Sequence, residues 1–227
     1  MKRPRPPLDS VPEARFDAAR NAVRRDHPVP DRIDTSIGDA QPPWLIAIRR
    51  RMVPGGAQHP VTGRRAAVLV VLVDNSEGPG VLLTRRSNRL RYLPDAITFP
   101  GGSLEVTDGG PVGAALREAA EEIALDPTSV DVLGQLPDRL TVEKEFVVTP
   151  VIAWTRHLHL TAAPSPHEVS GIGIVPLADL ARLLSNDKVT MVCLPDANPE
   201  RPGTTLAGPV APMTAALLVE IAAACQI

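Results

Sequence analysis

The sequence predicts an α+β fold in which helices cover both faces of one mixed β-sheet, an α/β/α sandwich. Short aliphatic segments bounded by Gly, Pro, Asn and Asp dominate the middle of the chain, which is typical of strands. Alanine-rich segments with helical periodicity lie between and after them. Of the 227 residues, 44% are hydrophobic and 3% aromatic. The chain can therefore bury a core, and that core must be aliphatic.

Residues 1–60 form a predicted N-terminal extension with helices, and residues 61–227 form the main domain. The extension is rich in Pro and Arg and contains two predicted helices, at residues 11–25 and 42–52. No apolar stretch follows its basic residues, so we expect no secretory signal. The extension would either take part in a homodimer contact or cover the sheet, and nothing in its residues chooses between these roles.

The elements of the main domain follow in order along the chain. Residues 64–74 and 81–87 are β-branched and aliphatic with a Gly- and Pro-containing loop between them, which predicts two strands. Residues 96–102 form a short predicted strand that ends in a Pro-Gly-Gly turn. Residues 110–125 have helical periodicity until Pro127 ends the helix. Later strands are predicted at 129–137, 145–155 and 171–177, and later helices at 177–186 and 211–225.

The charge and the cysteines exclude several classes of function. The formal net charge is −2, so whole-chain charge does not favour binding to nucleic acid or to an anionic membrane. The longest apolar run, residues 66–73, is far too short to cross a bilayer. Cys193 and Cys225 lie far apart and match no metal or redox spacing. We therefore expect a cytoplasmic protein with free or buried thiols.

The predicted helix at residues 110–125 carries an unusual cluster of carboxylates. Glu118, Glu121 and Glu122 lie three and four residues apart, which places them along one edge of the helix. Like charges at this spacing repel by about 0.2–0.5 kcal/mol per pair. Either the edge is solvated, with Arg117 reaching Glu121 one turn on, or the carboxylates bind a cation. Mg²⁺ prefers oxygen ligands and is usually also held by substrate phosphates.

The residues upstream of this helix favour the cation. Gly101 and Gly102 end the Pro-Gly-Gly turn, and glycine tolerates backbone angles that let a ligand approach the main chain. Glu105 and Asp108 add carboxylates to the loop between the turn and the helix. A carboxylate cluster beside a glycine turn indicates a metal and phosphate site.

Residues 102–125, GSLEVTDGGPVGAALREAAEEIAL, resemble the Nudix box, a glycine loop and helix whose core is Arg-Glu, two residues, then Glu-Glu. The resemblance implies the Nudix fold and hydrolysis of a nucleoside diphosphate linked to another group, with Mg²⁺ or Mn²⁺ and attack by water on phosphorus. It implies that Glu118, Glu121 and Glu122 ligate or orient the metal. Arg117 would hold these glutamates in place by charge-assisted bonds.

The segment departs from the usual box at a few positions. Asp108 stands where the box has glutamate, one extra residue precedes Arg117, and Ala124 stands in place of a glycine near the end of the helix. All the charged positions on the helix are nevertheless filled. A Nudix module that only binds a nucleotide would be expected to lose box carboxylates, so the pattern favours an enzyme.

Residues 82–102, LLTRRSNRLRYLPDAITFPGG, resemble the motif that marks the coenzyme A diphosphatase branch of the Nudix superfamily. The resemblance extends over about residues 66–218. It implies a small nucleotide substrate related to coenzyme A, with 3',5'-ADP and phosphopantetheine as products. Arg86 and Arg91 align with two arginines of the motif and, with Gly101, Gly102 and the nearby Arg85 and Arg89, are candidates to bind the phosphates.

The substrate and the general base each have more than one candidate. Asp95 and Ala96 stand where the motif usually has Gly-Gln, which leaves open another substrate such as ADP-ribose, NADH or a dinucleoside polyphosphate. In the family the general base is a helix glutamate or an acid on a later loop. The candidates here are Glu121, Glu143, Glu145 and Glu168, the last in a loop between strands, where functional residues often lie. The predicted catalytic residues are Arg117, Glu118, Glu121 and Glu168.

Overall fold

The structure is a computed structural model, and it describes residues 43–52, 63–75, 78–141, 146–161, 165–180, 191–193, 205–206 and 208–225. The predicted helix at residues 11–25 and most of the one at 177–186 lie outside these ranges. So does the predicted boundary at residue 60, which stays a prediction.

Ten strands form one sheet in the described part of the chain. The strands are β1 (Arg64–Asn75), β2 (Gly78–Arg86), β3 (Ile97–Thr98), β4 (Gly101–Ser103), β5 (Asp131–Gln135), β6 (Arg139–Leu140), β7 (Phe146–Thr155), β8 (Val169–Pro176), β9 (Met191–Cys193) and β10 (Thr205–Leu206). The main order is β10-β9-β8-β2-β1-β7-β5, while β3, β4 and β6 pair with β2, β1 and β7. Strands β1 and β7 are parallel and the other pairs are antiparallel, so the sheet is mixed as predicted.

Helices cover both faces of this sheet. Helix α2 (Pro111–Ile123) lies on one face, whereas α1 (Pro43–Arg49) and α3 (Pro212–Cys225) lie on the other. Because strand side chains alternate between faces, β1 supplies Leu69 to the core under α2 and Val70 to the core under α1 and α3. The predicted α/β/α sandwich with an aliphatic core is confirmed. Among the described residues, no helix has the length and apolar character needed to cross a membrane.

The shortest elements differ from the prediction. The single strand predicted at residues 96–102 is two strands, β3 and β4, separated at the Phe-Pro step. Strands β6, β9 and β10 were not predicted, because two or three residues are too few to show an alternating pattern. The helix predicted at 177–186 begins as the 3₁₀ turn Leu177–Asp179.

Candidate active site

Helix α2 follows β4 through a short loop that folds back on the helix. Pro111 occupies the first turn, where its missing N–H is not needed. At the other end Ala124 adopts the left-handed conformation, with φ 54°, and its N–H donates to the carbonyl of Ala119. The usual Nudix glycine at this position would adopt that conformation without strain. Alanine fills the same role here at a cost of about 1 kcal/mol.

Arg117 lies at the centre of the site and is only 8% exposed. Its Nε donates to Oδ1 of Asp108 at 2.8 Å and its Nη2 to Oδ2 at 3.2 Å, a bidentate pair. Its Nη1 donates to Oε2 of Glu121 at 3.0 Å, the contact predicted one turn apart. Its Nη2 also lies 3.0 Å from Oε1 of Glu118 and donates to the carbonyl of Ser103 at 3.0 Å. One guanidinium therefore joins the helix, the loop and β4.

The surroundings of Arg117 keep its guanidinium charged. Burial by itself lowers the pKa of Arg117, but the hydrogen bond to Asp108 and the charges of Glu118, Asp108 and Glu121 outweigh it and raise the pKa. A buried charge with its donors satisfied avoids most of the desolvation cost that an unpaired one would carry. The acidic edge of α2 is therefore bonded to a buried arginine, although Glu118 and Glu121 stay partly exposed.

The sequence placed Asp108 near the carboxylate cluster but did not predict that it pairs with Arg117. Its side chain is 2% exposed, and its Oδ2 also accepts a hydrogen bond from the backbone N–H of Glu105 at 2.7 Å. A Cβ on Gly113 would collide with the carbonyl of Asp108, so the loop packs directly on the first turn of α2. Glu105, in contrast, is an exposed residue of this loop.

The glycine pair brings the backbone of β4 under the helix. The N–H of Gly101 donates to Oε2 of Glu122 at 3.1 Å. Gly101 has φ 153°, and an added Cβ would collide with the carbonyl of Ala67 on β1. A Cβ on Gly102 would lie 2.5 Å from Oε1 of Glu118. Only glycine at both positions lets the strand lie this close to the two carboxylates.

Glu118 and Glu122 are carboxylates in a poorly solvated place. Burial raises the pKa of Glu122 to about 8; the charges of Glu118 and Glu168 also raise it, while the Gly101 N–H and the charge of Arg86 lower it. Burial likewise raises the pKa of Glu118, against the lowering effect of its Arg117 partner. A buried acid whose charge is disfavoured and that faces like charges is typical of a functional site.

Backbone hydrogen bonds hold Glu168 near this cluster. The N–H of Ser165 donates to the carbonyl of Glu122 at 2.9 Å, which ties the loop to the end of α2. The N–H of Ser87 donates to the carbonyl of Glu168 at 2.8 Å, which ties the same loop to the end of β2. Glu168 is exposed, and its charge raises the pKa of both Glu118 and Glu122. The other two base candidates, at positions 143 and 145, lie outside the described residues.

The predicted phosphate-binding arginines have different surroundings. Arg86 acts on Glu122 through its charge, and its Nε donates to the carbonyl of Tyr92 at 3.2 Å. Arg91 is exposed, and among the described residues no hydrogen bond or ion pair joins it to the carboxylates. Its role therefore stays a prediction. Arg85 pairs with Asp95, with 2.7 Å between Nη2 and Oδ1.

The carboxylates are held by protein partners rather than turned toward a common point. Within the described ranges, no three acidic, histidine or cysteine side chains are arranged to hold a metal ion. Glu118 and Glu121 face Arg117, and Glu122 faces the Gly101 N–H. The donor set nevertheless consists of carboxylate oxygens, which suits Mg²⁺ or Mn²⁺. Burial is the main cause of the raised pKa of Glu122, and a cation would offset the further contribution from the charges of Glu118 and Glu168.

Known proteins are similar to this chain over its main domain. Residues 63–193, more than half of the chain, match the NUDIX domain. The chain is 44% identical over 131 residues to the uncharacterized Nudix hydrolase NudL of Klebsiella pneumoniae strain 342, covering 57% of this chain and 66% of that protein. It is 42% identical over 120 residues to NudL of Escherichia coli strain K12 / DH10B, covering 53% and 61%. The chain thus spans just under two thirds of these relatives.

A solved structure agrees in fold. The crystal structure of a NUDIX hydrolase from Alicyclobacillus acidocaldarius matches with a TM-score of 0.51 and 20% identity, over 73% of this chain and 93% of that one. At this identity the match concerns the fold alone.

Proposed function

The chain belongs to the Nudix family, and from this premise we propose that it is a hydrolase of nucleoside diphosphate linkages, with coenzyme A or its thioesters as substrates. One observation carries the proposal. Arg117 is buried and bonded to Asp108, Glu118 and Glu121, while Glu122 meets the backbone of the glycine turn. A helix that needed only to pack on the sheet would have no use for so many buried charges.

We assign Glu118, Glu121 and Glu122 as the residues that hold Mg²⁺ or Mn²⁺. When bound, the ion offsets the negative charge of the diphosphate and favours loss of a proton from the attacking water. Arg117 keeps Glu118 and Glu121 at fixed positions, since both are within 3.0 Å of its guanidinium. Because burial disfavours the charge on Glu122, this group gives up its proton readily only when a cation is near.

Glu168 is our choice for the proton acceptor. It is exposed to solvent, its loop is bonded to the ends of α2 and β2, and its charge acts on Glu118 and Glu122. Glu121 is the alternative, although its carboxylate is already paired with Arg117. In the proposed reaction water attacks one phosphorus, the bridging P–O bond breaks, and coenzyme A yields 3',5'-ADP and phosphopantetheine.

Two features support a substrate related to coenzyme A. The first is the resemblance of residues 82–102 to the motif of that branch. The second is Arg86, which aligns with an arginine of that motif, acts on Glu122 through its charge and can bind a phosphate oxygen pair through its guanidinium. We place the diphosphate between Arg86 and the Gly101–Gly102 turn.

A second substrate class is favoured by one observation. Asp95 occupies the guanidinium of Arg85, so one of the arginines that could have bound an additional phosphate is already paired. A nucleotide with fewer phosphates, such as ADP-ribose or NADH, would need fewer arginine side chains to bind its phosphates. The chain would then be a diphosphatase of the same chemistry with a different substrate.

Hydrolysis of a panel of nucleotides tests these alternatives. Coenzyme A, acyl-coenzyme A, ADP-ribose, NADH and a dinucleoside polyphosphate are incubated with Mg²⁺ or Mn²⁺, and product masses are measured. We expect 3',5'-ADP and phosphopantetheine from coenzyme A. Turnover of another nucleotide alone would support the second substrate class. Tight binding without turnover under either metal would contradict an enzymatic function and support a nucleotide-binding module.

A further inference from the structure

Two consecutive arginines at the end of β2 are bonded to the same loop. This loop, residues 87–96, leads from β2 to β3. Arg86 donates from Nε to the carbonyl of Tyr92, and Arg85 donates from Nη2 to Oδ1 of Asp95. The pairing of β2 with β8 is irregular between the two arginines, which lets their side chains reach different partners.

The loop has a backbone that needs outside support. Leu93 has φ 48° and Asp95 has φ 60°, both in the left-handed region. Leucine is rarely found there, whereas aspartate tolerates it because its short side chain can bond locally. Residues in such conformations persist where their surroundings fix them, and they cluster at ligand sites.

Several contacts fix the end of the loop at Asp95. The carbonyl of Asp95 packs on Gly208, where an added Cβ would lie 2.7 Å from it. The N–H of Arg86 donates to the carbonyl of Ala96 at 2.9 Å, and the N–H of Ala96 donates to the carbonyl of Leu93 at 3.3 Å. Of these contacts at the end of the loop, the ion pair with Arg85 is the one that the side chain of Asp95 makes.

We propose that Asp95 is a positioning residue for Arg86. Its ion pair with Arg85 holds the left-handed loop in the shape that presents the Tyr92 carbonyl to Nε of Arg86. Arg86 is thereby oriented toward the carboxylate cluster before substrate arrives. Asp95 stands where the resembling motif usually has glycine, so the pair with Arg85 is not part of that motif. The effect on turnover rests on the proposed function, whereas the effect on Arg86 does not.

The first measurement reads the arginine directly. In the full-length protein, ¹⁵N NMR of the arginine Nε–H groups gives the exchange rate of the Arg86 Nε–H with solvent. Asp95→Asn keeps a side chain that tolerates the left-handed region and removes the charge. We expect Arg86 exchange to become about three- to tenfold faster, the size of a modest coupling between neighbours. Arg85→Gln should have the same effect, and Asp131→Asn, an exposed control on β5, should have none.

The second measurement reads the consequence for binding. We expect Asp95→Asn to raise KM for the substrate about three- to tenfold and to leave kcat within about twofold, since a positioning defect acts on substrate binding. In an Arg86→Gln background the same substitution should have no further effect on KM. Equal effects on KM in both backgrounds would show that Asp95 does not act through Arg86.

The outcomes separate the two proposals. Unchanged Arg86 exchange in Asp95→Asn overturns the positioning role, whatever the kinetics. Faster exchange in a protein that hydrolyses no nucleotide supports the positioning of Arg86 and contradicts the proposed function. Faster exchange with an undiminished KM effect in the Arg86→Gln background would show that Asp95 affects substrate binding independently of Arg86, which overturns the indirect role.

Discussion

Helices α2 and α3 pack on opposite faces of the same sheet and are built from similar residues. Both begin with proline and are rich in alanine, with 13 and 14 residues. Helix α3 carries a single charged residue, Glu220, which pairs at the surface with Arg139 at 2.7 Å. Helix α2 carries four, of which Arg117 and Glu122 are buried.

The difference shows what packing alone requires. Helix α3 is held by aliphatic side chains such as Leu217, Leu218 and Ile221, so an alanine-rich helix can dock on this sheet without buried charge. Burying ions is costly unless each is paired. The buried charges of α2 are therefore not explained by folding. They are explained if the acidic edge binds a cation and a diphosphate.

The largest contrast between the helices should be in the free energy of unfolding when the arginine of each ion pair is removed. We expect Arg117→Met to lower the free energy of unfolding by about 3–5 kcal/mol, because it leaves the buried Asp108 carboxylate unpaired. Arg139→Met breaks the half-exposed pair on α3 and should cost less than about 1 kcal/mol. Urea denaturation monitored by circular dichroism measures both. Equal losses would show that the Arg117 network is no stronger than an ordinary surface pair.

Removing one carboxylate charge from each helix should affect kcat differently. Glu122→Gln should lower kcat by roughly 10²–10³-fold, the loss typical of removing one preorganised electrostatic group. The fold should survive, because glutamine can still accept the Gly101 N–H. Glu220→Gln on α3 is the matched control and should retain full turnover. If Glu122→Gln turned over substrate at the parent rate, the assignment of the metal site would be wrong.

The buried acid of α2 should also make stability depend on pH. The pKa of Glu122 is raised to about 8 by burial, so between about pH 4.5 and 8 the folded state keeps a proton that the unfolded state has lost. This contribution to stability is present below pH 4.5 and is lost as pH rises to 8, by up to about 1.4 kcal/mol per pH unit. Denaturation in EDTA should show a steeper slope in the parent than in Glu122→Gln, where the raised pKa of Glu118 still contributes. An identical slope in both would assign it to other groups.

Substitutions at two neighbouring glycines should affect activity and stability separately, and both effects should be smaller than those above. Gly102→Ala should push the carboxylate of Glu118 aside and lower kcat about tenfold. Its effect on stability should be small, because the end of a flexible side chain can move. Gly101→Ala collides with the β1 backbone and should lower stability by about 1–3 kcal/mol. Full activity in Gly102→Ala would mean that the position of Glu118 does not matter.

The long elements were predictable from sequence and the shortest were not. The helix predicted at residues 110–125 is observed as Pro111–Ile123, because its periodicity extends over several turns. The strand predicted at 145–155 is observed as Phe146–Thr155. Strands β6 and β9 contain only two and three residues, and segments this short show no alternating pattern.

The same distinction applies to the site. The contact of Arg117 with Glu121 follows from one helical turn and was predicted. The contact of Arg117 with Asp108 spans a loop with two glycines, so its geometry depends on how that loop packs. The pair of Arg85 with Asp95 depends on a left-handed backbone that no periodicity reveals. Resemblance to a family motif indicated candidate residues, and the structure added contacts between separate segments, such as that of Arg117 with Asp108.

Titration with Mn²⁺, followed by the electron paramagnetic resonance signal of the free ion, tests most directly whether the acidic edge of α2 holds a cation. We expect the parent and Glu220→Gln to bind Mn²⁺ equally, and Glu118→Gln to bind it at least about tenfold more weakly. Equal Mn²⁺ binding by all three proteins, or none by the parent, would contradict a metal site on this helix.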